Sequence, residues 1–77
     1  MYFLLYTRQG CGYCDKALKL LSDKKREYVV SEMTKGSKAL LEVQEKYNWK
    51  TVPIIFEVRK KEKMFIGGYT DLVEYLK

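Results

Sequence analysis

The chain has no histidine among its 77 residues, one proline and two cysteines. Without histidine the usual side-chain base near neutral pH is missing, so any nucleophile must be activated by its surroundings. Two cysteines are too few for a small disulfide-scaffold protein. They are also too few for a closed zinc site, which takes four ligands, usually Cys or His. No metal is therefore expected, and only a site shared across a dimer stays open. Long apolar runs are missing too, so no membrane span is expected. Met1 to Tyr6 is apolar, but it is shorter than a signal-peptide core and no small-residue cleavage site follows. The expected setting is a reducing, cytoplasmic one, where a close cysteine pair is catalytic or metal-binding more often than structural. No repeat, linker or low-complexity tract interrupts the chain, and its length leaves no room for a second core. Residues 1–77 are expected to form one domain, and a monomer.

Hydrophobic residues make up 47% of the chain and aromatics 14%, enough to fold a globule. The net charge of +5 comes from 15 Lys and Arg against 10 Asp and Glu. Two runs concentrate it, Lys24-Lys25-Arg26 and Arg59-Lys60-Lys61. They are either solvated turns between elements or a field that attracts an anionic substrate. Nucleic acid is not an expected partner, because neither run is interleaved with aromatics on a basic face.

The stretch that carries chemistry is Gly10-Cys11-Gly12-Tyr13-Cys14, just behind the apolar run Tyr2-Phe3-Leu4-Leu5-Tyr6-Thr7. The run reads as a strand buried on both faces. After Arg8-Gln9-Gly10, residues Cys14, Ala17, Leu18 and Leu21 fall on one helical stripe. The cysteines thus stand where a strand turns into a helix. The first turn of a helix carries unpaired N–H groups and a partial positive charge. A thiolate there is stabilised and becomes the stronger nucleophile near neutral pH. Cys11 sits at the exposed mouth and is the attacking thiol; Cys14, inside the first turn, is the resolving one.

Lys24-Lys25-Arg26 ends this helix. Glu27 to Glu32, with Tyr28-Val29-Val30, reads as a second strand. Ser37 is a candidate N-cap for a second helix with Leu40, Val43 and Tyr47 on one face and Leu41 beside them. Ile54 to Val58 is a third strand, Arg59 to Lys63 a charged turn, and Met64-Phe65-Ile66 a fourth strand that Gly67-Gly68 breaks. Thr70 or Asp71 caps a last helix with Leu72, Val73, Tyr75 and Leu76, Asp71 and Glu74 having capping-box spacing. The order is βαβ, then α, ββ and α. It predicts an α/β fold, a four-stranded mixed sheet flanked by three helices on both faces.

Three segments together resemble the glutaredoxins: Arg8-Gln9-Gly10-Cys11-Gly12-Tyr13-Cys14, Thr51-Val52-Pro53, and Ile66-Gly67-Gly68-Tyr69-Thr70-Asp71-Leu72. The resemblance spans essentially the whole chain and implies the minimal thioredoxin-like fold. It also implies an enzyme that uses glutathione as co-substrate to reduce protein disulfides and glutathione mixed disulfides. Such proteins donate electrons to enzymes such as ribonucleotide reductase, with potentials of about −200 to −230 mV.

The resemblance implies a glutathione site too, with a cis Val52–Pro53 bond facing Cys11 and the backbone of Val52 pairing with the cysteinyl part of the tripeptide. Thr51, Val52 and Pro53 supply one side of that site, and Gly68, Tyr69, Thr70 and Asp71 the other. Two glycines let a ligand backbone approach closely, the following helix offers N–H groups to a carboxylate, and Asp71 accepts from the amine of the γ-glutamyl group. Asp71 as a plain N-cap is the alternative, and both roles are compatible. Arg8 is either a glutathione-steering cation or a solvated surface residue. Tyr13 shields the site, while Tyr47 and Trp49 read as packing residues. The chain departs from many dithiol glutaredoxins at Gly12, where they carry proline. Some relatives with glycine there bridge an iron–sulfur cluster between two monomers, so a cluster carrier is one alternative. A small redoxin recharged by thioredoxin reductase is the other, and Gly67 to Asp71 argues against it.

Overall fold

In a computed structural model describing residues 1–77, the first strand, β1 (Tyr2–Arg8), sets both cores. Phe3, Leu5 and Thr7 are buried, and Leu4, Tyr6 and Arg8 between them are half-buried. This is the period-two pattern of a strand with cover on both faces, one face more tightly sealed than the other. The remaining elements are α1 (Gly12–Asp23), β2 (Tyr28–Met33), α2 (Lys38–Tyr47), β3 (Ile54–Arg59), β4 (Glu62–Gly67) and α3 (Tyr69–Tyr75). The sheet order is β2-β1-β3-β4. β1 pairs in parallel with β2, Phe3 opposite Tyr28, and α1 is the crossover that parallel neighbours require. β1 pairs antiparallel with β3, Leu5 opposite Ile55, and β3 antiparallel with β4. This is the thioredoxin-like arrangement of a four-stranded mixed sheet and three helices.

The side chains sort by face. Phe3, Leu5 and Ile55 meet Ala17 and Leu21 of α1 and Leu72 of α3. On the other face Ile54 and Phe56 meet Leu40 of α2, with Tyr6, Val43, Tyr47 and Trp49 packed around them. Each of these large side chains contributes about 1.5–3 kcal/mol by leaving water. Together the two layers fix α1 and α3 against one side of the sheet, and so fix the start of each helix at the same end of the strands.

Helix ends follow local chemistry. Ser37 caps α2, its Oγ accepting the Leu40 N–H at 3.2 Å, as the sequence predicts. α1 closes at Lys24, with Lys25 in the left-handed region at φ +56°. α3 departs from expectation. Its N-cap is Gly68, neither Thr70 nor Asp71, and Asp71 acts from the third helical position by accepting the Gly68 N–H. Glycine has no side chain to return the bond, so only half of a capping box forms, and Glu74 takes no part. Leu41 is 53% exposed, because one residue along a helix is 100° of rotation away from the buried Leu40. The charged turn is shorter than predicted. Arg59 pairs with Glu62 and Val58 with Lys63, leaving Lys60 and Lys61 as the connection, with Lys60 at φ +41°.

One carboxylate is buried. Glu57, 2% exposed on the α1/α3 face, accepts from Arg59 Nε at 2.6 Å. Burial by itself pushes the Glu57 carboxyl up. Hydrogen bonds from Tyr75 and Arg59, with the positive fields of Arg59 and Arg26, outweigh that and hold it below the usual carboxylate range. The same carboxylate, with burial, raises the Tyr75 phenol. No helix is long and apolar enough to cross a membrane.

Candidate active site

Gly10, at φ +77°, turns the chain from the end of β1 into α1, a conformation that favours glycine. Cys11 is the N-cap of α1, in extended conformation at φ −98° and ψ 109°. Its Sγ accepts the backbone N–H of Cys14 at 3.1 Å. One orphan N–H of the helix start therefore points at the sulfur, which is what favours a thiolate at this position. Cys11 and Cys14 are joined as a disulfide, Cα atoms 5.3 Å apart. Cys14 is 3% exposed and Cys11 only half-buried, so an incoming sulfur reaches Cys11 first.

The segment before β3 lies directly against this sulfur. The Val52 carbonyl oxygen is 3.6 Å from Cys11 Sγ, and the Val52–Pro53 bond is cis. Neither the N–H nor the C=O of Val52 takes part in a backbone–backbone hydrogen bond. An unpaired donor and acceptor on one residue, beside a reactive sulfur, form an edge to which a peptide can pair.

From Val52 a groove of about 230 Å³ runs to the start of α3. Thr51, Val52 and Pro53 form one wall, and Gly68, Tyr69, Thr70 and Asp71 the other. Tyr13 reaches it from α1, its ring 5.9 Å from that of Tyr69 and 59% exposed. Lys16 Nζ stands 5.0 Å over the Tyr13 ring. The glycines have separate reasons. A Cβ on Gly67 would lie 2.5 Å from Asp71 Oδ2, and Gly67 has φ +126°. Gly68 is buried, and its N–H is held by Asp71 at 2.9 Å.

Arg8 is not brought to this groove. It ends β1 on the β2 side, where it lines a second hollow of about 380 Å³ on the other side of Cys11, with Gln9, Cys11, Cys14 and Glu32. Trp49, read from sequence as packing, lines the groove as well as the core. The only sequence signal for that was its place two residues before Thr51-Val52-Pro53. The largest concavity, about 730 Å³, lies among Met1 and residues 59–62. It sits at the opposite end of the strands from Cys11 and is an open surface between charged side chains, so the chemistry belongs to the smaller groove. No group of three or more His, Cys, Asp or Glu side chains converges as a metal site.

A half-exposed cysteine at a helix N-terminus, joined to a buried partner three residues on and set on this sheet, defines a thiol–disulfide oxidoreductase. A family model described as glutaredoxin matches residues 3–61. The solution structure of a glutaredoxin from Brucella melitensis is 31% identical, with a TM-score of 0.76, the match covering 99% of this chain and 78% of that one. No curated protein matches. The chain belongs to the glutaredoxin family.

Proposed function

We propose that the protein is a glutathione-dependent oxidoreductase that reduces protein disulfides and glutathione mixed disulfides in the cytoplasm. The observation that carries this reading is the unpaired backbone of Val52, with its carbonyl 3.6 Å from Cys11 Sγ. Glutathione is a cysteinyl peptide. Its cysteine backbone pairs with Val52 while its sulfur meets Cys11, and its γ-glutamyl end extends along the groove toward Thr70 and Asp71. Asp71 spends Oδ2 on the Gly68 N–H and keeps Oδ1 for the ammonium. Arg8 acts from the far side of Cys11, through its charge. The Gly68–Asp71 wall favours glutathione over thioredoxin reductase as the source of electrons.

The chemistry is two successive exchanges. Cys11 thiolate attacks the glutathione sulfur of a mixed disulfide, and the substrate thiolate leaves and takes a proton from water. A second glutathione thiolate then attacks the sulfur bound to Cys11, giving oxidised glutathione and free Cys11. With a protein disulfide, Cys11 attacks one sulfur, and Cys14 thiolate then attacks Cys11 Sγ. The protein dithiol leaves, and the Cys11–Cys14 disulfide remains for two glutathiones to reduce.

The test is to incubate Cys14→Ser and Cys11→Ser proteins with oxidised glutathione and weigh the products. Cys14→Ser should gain one glutathione, on Cys11, and Cys11→Ser none. Equal labelling of both variants would contradict the assignment of roles.

A further inference from the structure

Trp49 is the only tryptophan in the chain. Its indole nitrogen is buried and has no hydrogen-bond partner, the one such side-chain atom in the molecule. Native interiors leave very few donors unpaired, and each that is unpaired calls for an explanation. The surroundings of this one point to the groove. Cζ2 and Nε1 of the indole lie 3.6 and 3.8 Å from where a Cβ on Gly68 would stand, and the Pro53 carbonyl oxygen is 3.8 Å from the same point. On another side the ring packs edge-on against Phe65, centroids 5.4 Å apart at 75°. The indole is thus held by apolar contacts, with its N–H end beside Gly68 in the lining of the groove, and the ring remains half-exposed.

We infer that Trp49 is a glutathione-binding residue, its indole N–H donating to a carbonyl or carboxylate oxygen of the tripeptide lying along Pro53 and Gly68. This rests on the glutathione reading above. The free protein offers the indole no acceptor, and the occupied groove brings one. A small swing of the half-exposed ring aligns the bond. The absence of a side chain at Gly68 leaves the space through which ligand and indole meet.

A single tryptophan gives a single indole N–H resonance, which makes the test direct. The ¹⁵N-labelled Cys14→Ser protein is converted to its Cys11–glutathione mixed disulfide, and separately capped on Cys11 with a methylthio group that adds no tripeptide. The indole resonance should move downfield, and its exchange with water should slow, in the glutathione adduct and not in the methylthio adduct. Trp49→Phe keeps an apolar ring and deletes the donor. In the otherwise unaltered chain it should raise KM for a glutathionylated thiol by about three- to ten-fold, the effect of one hydrogen bond, with kcat retained and the melting midpoint not lowered. If the amides of Val52, Gly68 and Thr70 shift in the glutathione adduct while the indole does not, Trp49 is a packing residue and the inference is wrong. An unchanged KM in Trp49→Phe has the same meaning. If neither the amides nor the indole respond, the glutathione groove itself is wrong and the inference falls with it.

Discussion

Asp71 Oδ2 accepts the backbone N–H of Gly68 at 2.9 Å, and the same oxygen lies 2.5 Å from where a Cβ on Gly67 would stand. One carboxylate therefore holds the N-cap backbone of α3, orders the groove wall and leaves room at Gly67 for hydrogen alone. Substitutions at the two positions are coupled as a result. Asp71→Ala should cost about 0.5–2 kcal/mol, the range of a lost helix cap, and raise KM for glutathione mixed disulfides. Gly67→Ala should cost about 1–3 kcal/mol, combining the positive φ with the clash. The double variant should lose less than the sum, because removing the carboxylate removes the clash. Denaturant midpoints of the four proteins measure this, and strict additivity would contradict it.

Glu57 makes stability depend on pH. Its carboxyl is held below the usual range despite its burial, by Tyr75, Arg59 and Arg26. A depressed folded pKa stabilises the protein above the unfolded value, about 4.3 for glutamate, and that contribution is lost as pH falls through the folded value. Glu57→Gln keeps the shape and removes the titration. It should lower stability near neutral pH by about 1–3 kcal/mol and flatten the decline from about pH 5 downward. Urea unfolding of both proteins across that range is the check, and parallel curves would mean that Glu57 does not set the pH dependence.

Gly12 opens α1 directly after the Cys11 cap, and a Cβ there would meet nothing within 4 Å. Proline is favoured at the first helical position, where its missing N–H has no helical partner anyway. Cys11 before it is already extended, as a residue preceding proline should be. Gly12→Pro should therefore stabilise the fold by about 0.4–1 kcal/mol, about 2–8 °C in melting midpoint for a chain of this size. The Cys14 N–H to Cys11 Sγ bond is left in place, so disulfide exchange at Cys11 should persist. A lower midpoint would mean that α1 starts differently.

Much of this was legible in the sequence, and the exceptions have physical causes. The seven elements and their order follow from apolar periodicity and the breakers between them, and the cysteine pair falls at the strand-to-helix junction as its spacing implies. The cap of α3 is hidden in the sequence because a glycine N-cap has no side chain to announce it, and Asp71 works from three residues away. The β3–β4 turn is shorter than its charged run suggests because Lys60 adopts φ +41° without the glycine or asparagine that usually marks such a position. Tyr28, Val29 and Val30 read as an ordinary strand, yet each is at least 39% exposed, since sequence pattern does not tell an edge strand from a central one. Trp49 lines the groove and Arg8 lines the hollow on the other side of Cys11 for a tertiary reason. Arg8 ends β1 on the β2 side, whereas the packing of Trp49 against Phe65 carries its indole to Gly68.

The most direct measurement is steady-state reduction of a small glutathione mixed disulfide, with glutathione and glutathione reductase in one arm and thioredoxin reductase in the other. The unaltered protein should turn over in the glutathione arm. Turnover should be abolished by Cys11→Ser, retained in part by Cys14→Ser, and reached only at higher substrate concentration by Asp71→Ala. Turnover with thioredoxin reductase alone, or activity surviving in Cys11→Ser, would contradict the glutathione groove or the nucleophile.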